Sequence, residues 1–498
     1  MKNVITSILL VFSLLVGMVS FSACTIVEEY ASNASGSGGD QAGNDNNLNN
    51  GQDDDDQNNQ NDQNDQNDQN DQNDQNNNQD NNQNNNDNQD NIDDEDQNHE
   101  YIAPDIQAML DGKYSDFVIP EEKLQSALRD ALRKVDYALP TFTGDNFPSH
   151  SSVNNVYSVD SNLTSGGWNT GFWTGILWHA YELTGYYKYI STANGQIPSF
   201  YERIDRLLGV NHHDMGFLYI PSCVAAYKIN GNVQAKEAAL KAADHLISRY
   251  HEESGFIQAW GNVGATDNYR LIVDCLLNIP LLYWATEVTG DQKYWDIAYN
   301  HFNTTMSVCY REDGSTYHTY YFDYETNEPL YGATHQGASD ESTWARGQAW
   351  GMYGPMLTYK YVQDEKALTS FISAANYFLT YLPSDYVPYW DLSFTDGAYE
   401  PKDSSSAAIA VCAMLEAIKY MDENDPQRRV FVNACNRIMN SLIDSYTTKD
   451  IPEANGLLLH GTYSKPHNNG VDEMNIWGDY FYMEALHRMT DPEWELYW

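Results

Sequence analysis

The sequence predicts an all-α fold, an (α/α)6 barrel of six helical hairpins that is preceded by a disordered tether. Apolar residues recur at helical spacing in twelve segments after residue 120, and no convincing run of alternating residues indicates strands. Short polar links such as ELTGYYKY at 182 and EVTGDQKY at 287 join one segment to the next, which is typical of repeated antiparallel helix pairs. An open superhelix of such pairs is the alternative, because ring closure cannot be read from a sequence.

Residues 1–24 are predicted to be a lipoprotein signal peptide that ends at a lipidated cysteine, Cys24. A basic start is followed by an apolar run from Val4 to Val19, which has the length of a signal peptide rather than of a committed membrane span. Ala23 directly precedes Cys24, as in bacterial lipoprotein signals, although Phe21 stands where leucine is usual. An ordinary secretory signal is the alternative.

Residues 25–105 are predicted to be a disordered, acidic tether rich in Asn, Asp and Gln. Apolar residues are too sparse there to offset the entropy lost by ordering the backbone, and repulsion between like charges extends the chain. The tether carries about half of the formal net charge of −44. A chain as acidic as this one is not expected to bind nucleic acid. We therefore expect a protein that is lipid-anchored to the outer membrane, on its periplasmic face or at the cell surface.

The catalytic domain is expected to span residues 106–498 and to contain no structural metal. Cys24 accounts for one of six cysteines, and the other five are scattered through apolar helical segments without a CxxC or Cys/His pattern. These cysteines are interpreted as buried thiols. No cofactor is predicted.

Within this domain, apolar and charged helices alternate along the chain. The predicted helices span about 121–137, 171–186, 194–209, 214–229, 233–250, 269–288, 291–309, 345–363, 365–382, 403–421, 427–446 and 475–489. The even-numbered helices are apolar and aromatic and should line the inside, whereas the odd-numbered ones carry a charged face. Mostly long loops precede the inner helices, so binding residues and partly positive helix N-termini should gather at one mouth.

A stretch from His335 to Trp350, HQGASDESTWARGQAW, concentrates groups that suit a charged sugar. Arg346 offers a planar fork that matches a carboxylate, and it shares a helix side with Trp350. Trp344 and Trp350 offer flat apolar faces on which sugar rings stack. A core helix with an arginine whose head reaches solvent is the alternative.

Two aspartates form a candidate acid–base pair at this mouth. Asp274 lies in LIVDCLLNIPLLYWA, where an apolar environment raises the pKa of a carboxyl group and favours a general acid. Asp214 starts the neighbouring inner helix, and mutual repulsion would separate the two pKa values. The structural alternatives are a hydrogen-bonded carboxylate for Asp274 and a helix cap for Asp214.

The chain also resembles a known family, the unsaturated glucuronyl hydrolases of glycoside hydrolase family 88, over about residues 120–490. The resemblance is carried by NTGFWTG, HHDMGF, RLIVDCLLNIPLL, the block around RGQAWG, DSSSAAIAVCAMLE and WGDYFYMEAL, which occur in order at fitting spacing. Members of this family are (α/α)6 barrels, in agreement with the helix pattern.

The resemblance implies a role for each candidate residue. It matches Asp274 to the acid–base aspartate and Asp214 to the second essential aspartate. The residues that it implies for the pocket of the unsaturated uronic acid are Trp168, Trp260, His318, Gln336, Trp344, Arg346 and Trp350. It implies no metal or cofactor. A Ser- and Lys-bearing loop contributes to sulfate preference in the family, and only Ser464 and Lys465 stand in that region here, so this preference stays open.

From the residues and the resemblance together we predict a glycoside hydrolase. It removes the 4,5-unsaturated hexuronic acid from the non-reducing end of lyase-generated, glycosaminoglycan-type oligosaccharides by hydrating the C4=C5 vinyl ether. An unsaturated rhamnogalacturonyl hydrolase acting on pectin fragments is one alternative. A non-catalytic glycan-binding lipoprotein is another. The predicted partners are the oligosaccharide and, through the lipid anchor alone, a membrane; the oligomeric state is not predicted.

Overall fold

Residues 104–498 are described in a computed structural model of the protein. The predicted signal peptide, Cys24 and nearly all of the tether lie outside the described residues, so those predictions stay predictions. None of the helices in the described part is both long and apolar enough to cross a membrane. The five cysteines of this part are buried and free, as the sequence led us to expect.

Six inner helical segments form a closed ring. In chain order they are Thr170–Thr184, the run Met215–Tyr219 with Ile220–Val224 (π-helical) and Ala225–Asn230, the 3-10 turn Val273–Leu277 with Pro280–Thr289, then Ala345–Val362, Ser404–Ala417 and Ile476–Thr490. Each segment contacts the next, and the first contacts the last. This closure confirms the (α/α)6 barrel and excludes the open superhelix.

Six outer helices surround the ring, and a short additional helix, Ile106–Asp111, precedes them. The outer helices are Glu121–Ala138, Tyr187–Asp205, Val233–Ile247, Gln292–Val308, Glu365–Tyr381 and Pro426–Ser445. Polar residues in the links that precede four of the outer helices have a physical role, because they cap those helices. The side chains of Asn232, Asp291, Asp364 and Asp425 each accept a hydrogen bond from a backbone N–H of the first turn.

Short β-strands, which the sequence analysis did not predict, occupy the long loops. They are Phe147–Pro148, Val159–Asp160, Tyr250–His251, Phe256–Ile257, Arg270–Ile272, Thr319–Phe322, Pro329–Ala333, Gly461–Ser464 and Asn469–Glu473. All pairings are antiparallel, and Arg270–Ile272, Thr319–Phe322 and Pro329–Ala333 form one three-stranded sheet. The helix predicted over 269–288 is therefore wrong in its first half. Its regular α-helix begins only at Pro280, a residue that lacks an N–H and suits the first helical position.

The end of the ring opposite the long loops is filled by residues 494–498. Trp498 is buried and its ring stacks on Phe481, with ring centroids 6.0 Å apart. Lys228 Nζ donates to the carbonyl oxygens of Leu496 and Tyr497, at 3.1 and 2.8 Å. The barrel therefore has one open end and one closed end.

Candidate active site

The candidate residues lie at the N-terminal ends of the inner helices, at the open end of the barrel. Asp214 directly precedes Met215, Asp274 lies in the 3-10 turn, and Arg346 lies in the first turn of its helix. Gly216 allows a close approach here, because a Cβ at this position would overlap the backbone of Asn278. The inner segments that carry the two aspartates are thereby held against each other.

A histidine that the sequence analysis did not select, His213, lies between the two aspartates. Its Nε2 is 3.2 Å from Asp274 Oδ1 and 3.4 Å from Asp214 Oδ1. His212 Nδ1 lies 3.0 Å from Asp214 Oδ2. The sequence signal for His213 was its place beside Asp214 in HHDMGF, but no sequence pattern places it against Asp274.

The two carboxyl groups differ in pKa because their surroundings differ. Burial raises the pKa of Asp274, and His213 only partly offsets this rise. Burial also acts on Asp214, but His213 and His212 lower its pKa below the ordinary value. Burial lowers the pKa of His213, whereas Asp214, Cys275 and Asp274 together raise it well above the ordinary value. The site therefore favours a proton on Asp274 and a negative charge on Asp214, as an acid–base pair requires.

His213, Asp214 and Asp274 also form the one cluster in residues 104–498 whose donor atoms lie close enough together to hold a metal ion. One donor atom of each of His213, Asp214 and Asp274 lies within 4.8 Å of the others. Nε2 of His213 lies 3.2 Å from Asp274 Oδ1 and 3.4 Å from Asp214 Oδ1, so the histidine contacts both carboxyl groups directly.

Aromatic side chains form one wall of the mouth. Trp168 stacks on Trp477, with ring centroids 4.9 Å apart and an interplanar angle of 30°. Its Nε1 donates to the hydroxyl of Tyr463 at 3.3 Å. Trp168 is half-buried, so part of this predicted sugar platform is accessible. Trp477 and Tyr463 were missed as individual residues, since a tryptophan at a helix start and a tyrosine in a loop have no diagnostic pattern.

A second wall of the mouth contains three more predicted residues. Trp260 is half-buried, and its Nε1 donates to Asn268 Oδ1 at 3.1 Å. His318 and Trp344 are buried and pack together, with ring centroids 4.4 Å apart. His318 Nδ1 accepts the backbone N–H of His335 at 3.0 Å. His318 and Trp344 therefore support this wall from behind, whereas Trp260 lies at its surface.

Gln336 and Arg346 hold a hairpin over the mouth. Gln336 Nε2 and Arg346 Nη2 both donate to the carbonyl oxygen of Tyr463, each at 2.7 Å. Arg346 Nη1 donates to Asp403 Oδ2 at 3.0 Å and to the carbonyl oxygen of Thr462 at 2.6 Å. Arg346 is 1% exposed and its guanidinium lies 4.4 Å from the Trp344 ring centroid.

These contacts change the interpretation of Arg346. From the sequence we expected its planar fork to bind the substrate carboxylate, but both Nη atoms already donate to Asp403 and to the hairpin. The partner could not be foreseen because Asp403 lies far away in the sequence and directly caps the next inner helix. We therefore assign to Arg346 the positioning of the hairpin strand Gly461–Ser464.

Trp350 lies deeper than the sequence analysis expected. It is 1% exposed and packs against Phe217 and Phe481, with ring centroids 5.2 and 5.4 Å away. The structure thus places Trp350 in the barrel core below the aspartates, where its ring offers no accessible face for a sugar. Its periodic spacing from Arg346 was also consistent with this core position.

Comparison with known proteins gives one family and a consistent set of relatives. The profile of Glycosyl Hydrolase Family 88 matches residues 145–491. An unsaturated chondroitin disaccharide hydrolase of Streptococcus agalactiae is 49% identical over 378 residues, which cover 76% of this chain and 93% of that protein.

Solved structures agree with this match. The crystal structure of an unsaturated glucuronyl hydrolase from Streptococcus agalactiae has a TM-score of 0.77 at 46% identity and covers 80% of this chain and 99% of that chain. A heparin-specific unsaturated glucuronyl hydrolase has a TM-score of 0.69 at 28% identity, with 75% and 98% covered. Two Asp→Asn variants of the Streptococcus agalactiae enzyme, one complexed with dGlcA-GalNAc6S, alter aspartates separated by the same interval as Asp214 and Asp274.

Proposed function

Because the chain belongs to glycoside hydrolase family 88, we propose that its mouth removes 4,5-unsaturated hexuronic acid from the non-reducing end of glycosaminoglycan-type oligosaccharides. The protein is an unsaturated glucuronyl hydrolase. The observation that carries this function is the buried carboxyl pair, in which the pKa of Asp274 is raised and that of Asp214 is lowered. Neither the rhamnogalacturonyl alternative nor the non-catalytic one is supported by the relatives.

The geometry assigns one task to each carboxyl group. Neutral Asp274 protonates C4 of the vinyl ether, and a positive charge develops at C5 and the ring oxygen. The anionic Asp214, whose side chain is only 13% exposed, stabilises this charge from a partly desolvated position. Asp274, now ionised, takes a proton from the water that attacks C5, and the hemiketal opens with loss of the glycosidic bond.

The relatives favour a chondroitin-type disaccharide as the substrate of this chain. The Streptococcus agalactiae chondroitin disaccharide hydrolase is 49% identical, whereas the heparin-specific structure is 28% identical. The hairpin held by Arg346 lies over the mouth and carries Ser464, whose hydroxyl contacts His467 Nδ1 at 2.7 Å. We propose that this hairpin faces the sugar that follows the cleaved bond.

A panel of lyase-generated disaccharides from hyaluronan, chondroitin sulfates, heparin and pectin tests this function. We expect chondroitin-type disaccharides to lose the ultraviolet absorbance of their conjugated double bond. A saturated glucuronide of the same aglycone should stay intact, since it has no double bond for Asp274 to protonate. Turnover of the pectin fragment alone would indicate the rhamnogalacturonyl hydrolase, and binding without turnover would indicate a glycan-binding protein.

We further propose that the enzyme is anchored to the outer membrane through a lipid on Cys24. The basis is the apolar leader that ends at Ala23–Cys24, followed by the acidic Asn/Asp/Gln-rich stretch. Cys24→Ser, expressed in a host that processes lipoproteins, should move the enzyme from the membrane fraction to the soluble fraction and leave kcat unchanged. An unchanged membrane fraction would contradict the anchor.

A further inference from the structure

The position of His213 between the catalytic aspartates is fixed by its own backbone. Its N–H donates to the carbonyl oxygen of Ala259 at 2.7 Å, and its carbonyl oxygen accepts the N–H of Met215 at 2.7 Å. The side chain is 2% exposed and Nδ1 has no hydrogen-bond partner among the described residues. Nε2 is the ring atom that lies within reach of the two aspartates.

The distances from Nε2 are those of one N–H directed between two oxygens. They are 3.2 Å to Asp274 Oδ1 and 3.4 Å to Asp214 Oδ1, so the two carboxylate oxygens lie at similar distances from the same N–H. Shared N–H groups of this kind are common in proteins. An N–H that points between two oxygens cannot be collinear with either of them, so both N–H···O angles are bent.

The contact with His213 makes the two carboxyl oxygens of Asp274 inequivalent. Oδ1 is fully buried beside the N–H of His213, whereas the side chain as a whole is 19% exposed, so the polar atom that can face the substrate is Oδ2. An oxygen that accepts an N–H cannot easily also carry a proton directed at the same group. The proton of neutral Asp274 consequently belongs on Oδ2, on the side of the pocket.

We infer that His213 is a positioning residue that bridges Asp214 and Asp274 through Nε2–H and so directs the transferable proton of Asp274 to the oxygen that faces the substrate. This inference rests on the proposed function. The bridge also places a positive charge within contact distance of both carboxylates, which stabilises the ionised form of each. His213 itself transfers no proton to the sugar.

Other charged groups surround the bridge, but their hydrogen bonds are made elsewhere. Arg249 donates to Gln258 O, Asn211 Oδ1 and Gly261 O. Arg203 donates to acceptors that include Gly166 O and Leu208 O, and Arg346 donates to Asp403 and to the hairpin. The titratable groups near His213 are the thiol of Cys275 and the imidazoles of His212, His301 and His318. Among the described residues, His213 is the titratable group that lies within 3.4 Å of a carboxylate oxygen of both aspartates, whereas Asn278 hydrogen-bonds to the carboxylate of Asp214 and only to the backbone carbonyl oxygen of Asp274.

Removal of the bridge should change the pH dependence in a defined direction. Loss of the adjacent positive charge raises the pKa of both carboxyl groups. Activity falls at low pH when Asp214 becomes protonated and at high pH when Asp274 loses its proton. Both limbs of the bell-shaped profile of kcat/KM should therefore move to higher pH.

The experiment compares His213→Leu, which removes the donor and the charge, with His213→Gln, which keeps an N–H near the position of Nε2 but carries no charge. We expect His213→Leu to lower kcat about 100-fold, a loss typical of a misplaced catalytic group, with KM changed much less. His213→Gln should recover part of kcat while its profile stays shifted to higher pH. If His213→Leu fails to fold, His213→Gln still tests the shift.

The matched control is His301→Gln, a buried histidine whose Nδ1 accepts the N–H of Ile257 at 3.0 Å and which contacts neither aspartate. It should lower the melting temperature without moving the profile. An unshifted profile in both His213 variants, or an effect on KM alone, would overturn the inference. If wild-type protein turns over no unsaturated disaccharide, the proposed function fails instead. Nitrogen NMR of the resting protein then decides on the bridge, because a His213 whose Nε2 carries no proton at about pH 7 would refute it.

Discussion

Asp274→Asn should abolish turnover of the unsaturated disaccharide while the fold and substrate binding are retained. The amide has the shape of the carboxyl group but cannot deliver an acidic proton to C4, and it cannot accept one from water afterwards. Removal of an acid–base group typically costs about 10²–10⁴ in rate, and the loss is larger when one group serves two steps. Initial rates from the ultraviolet absorbance, together with calorimetric binding of the disaccharide, measure both halves of this prediction.

The control for this substitution is Asp267→Asn, the same chemical change at an exposed position in the loop that leads to Asp274. It should leave kcat and KM at the wild-type level. Near-wild-type turnover in folded Asp274→Asn would show that another group protonates C4. Loss of binding in that variant would mean that Asp274 holds the substrate rather than reacting with it.

Arg346→Ala should be the most destabilising single change at the mouth. It leaves Asp403, which is 0% exposed, as a buried carboxylate without its ion-pair partner. Breaking a buried ion pair by removing one partner typically lowers the free energy of unfolding by about 3–5 kcal/mol. Arg346→Lys should fall between wild type and Arg346→Ala, because an ammonium keeps the charge but cannot donate to Asp403, Thr462 and Tyr463 with a planar fork. Urea unfolding measures the three proteins.

The exposed pair Arg206–Glu202 provides the matched control, since Arg206→Ala should change the free energy of unfolding by at most about 1 kcal/mol. The Arg346 variants should also raise KM, because the hairpin is then no longer held over the mouth. A raised KM with unchanged stability would contradict the positioning role. It would return Arg346 to the substrate carboxylate, as the sequence analysis had it.

The barrel could be predicted because its determinants are local. Helical periodicity and the capping links lie within short stretches of sequence, and the lengths of the loops identify the inner helices. The strands could not be predicted in this way. Leu271 and Ile272 have the apolar character of the helix that follows, and their strand exists because a distant segment, Thr319–Phe322, pairs with it. Pairing between distant segments leaves no signal within either of them.

For the active site, the sequence identified the reacting groups better than it identified their partners. The carboxyl group of Asp274 is exceptional in an apolar run, so it was visible without a structure. The partners of Arg346 are one buried aspartate and two backbone carbonyl groups from the hairpin, and backbone acceptors carry no residue-specific signal. The burial of Trp350 was equally hidden, since a tryptophan on an inner helix fits both a pocket wall and a core.

The closed end of the barrel also determines which concentration counts as the substrate concentration. Trp350, Phe481 and Trp498 fill the space below the aspartates, so a polysaccharide cannot thread through the ring. A cavity with a single opening admits only a chain terminus, and each terminus is used once before another cut must create the next. The relevant concentration is therefore the molarity of unsaturated termini, and a long polymer of the same mass presents far fewer of them than its disaccharide fragments do.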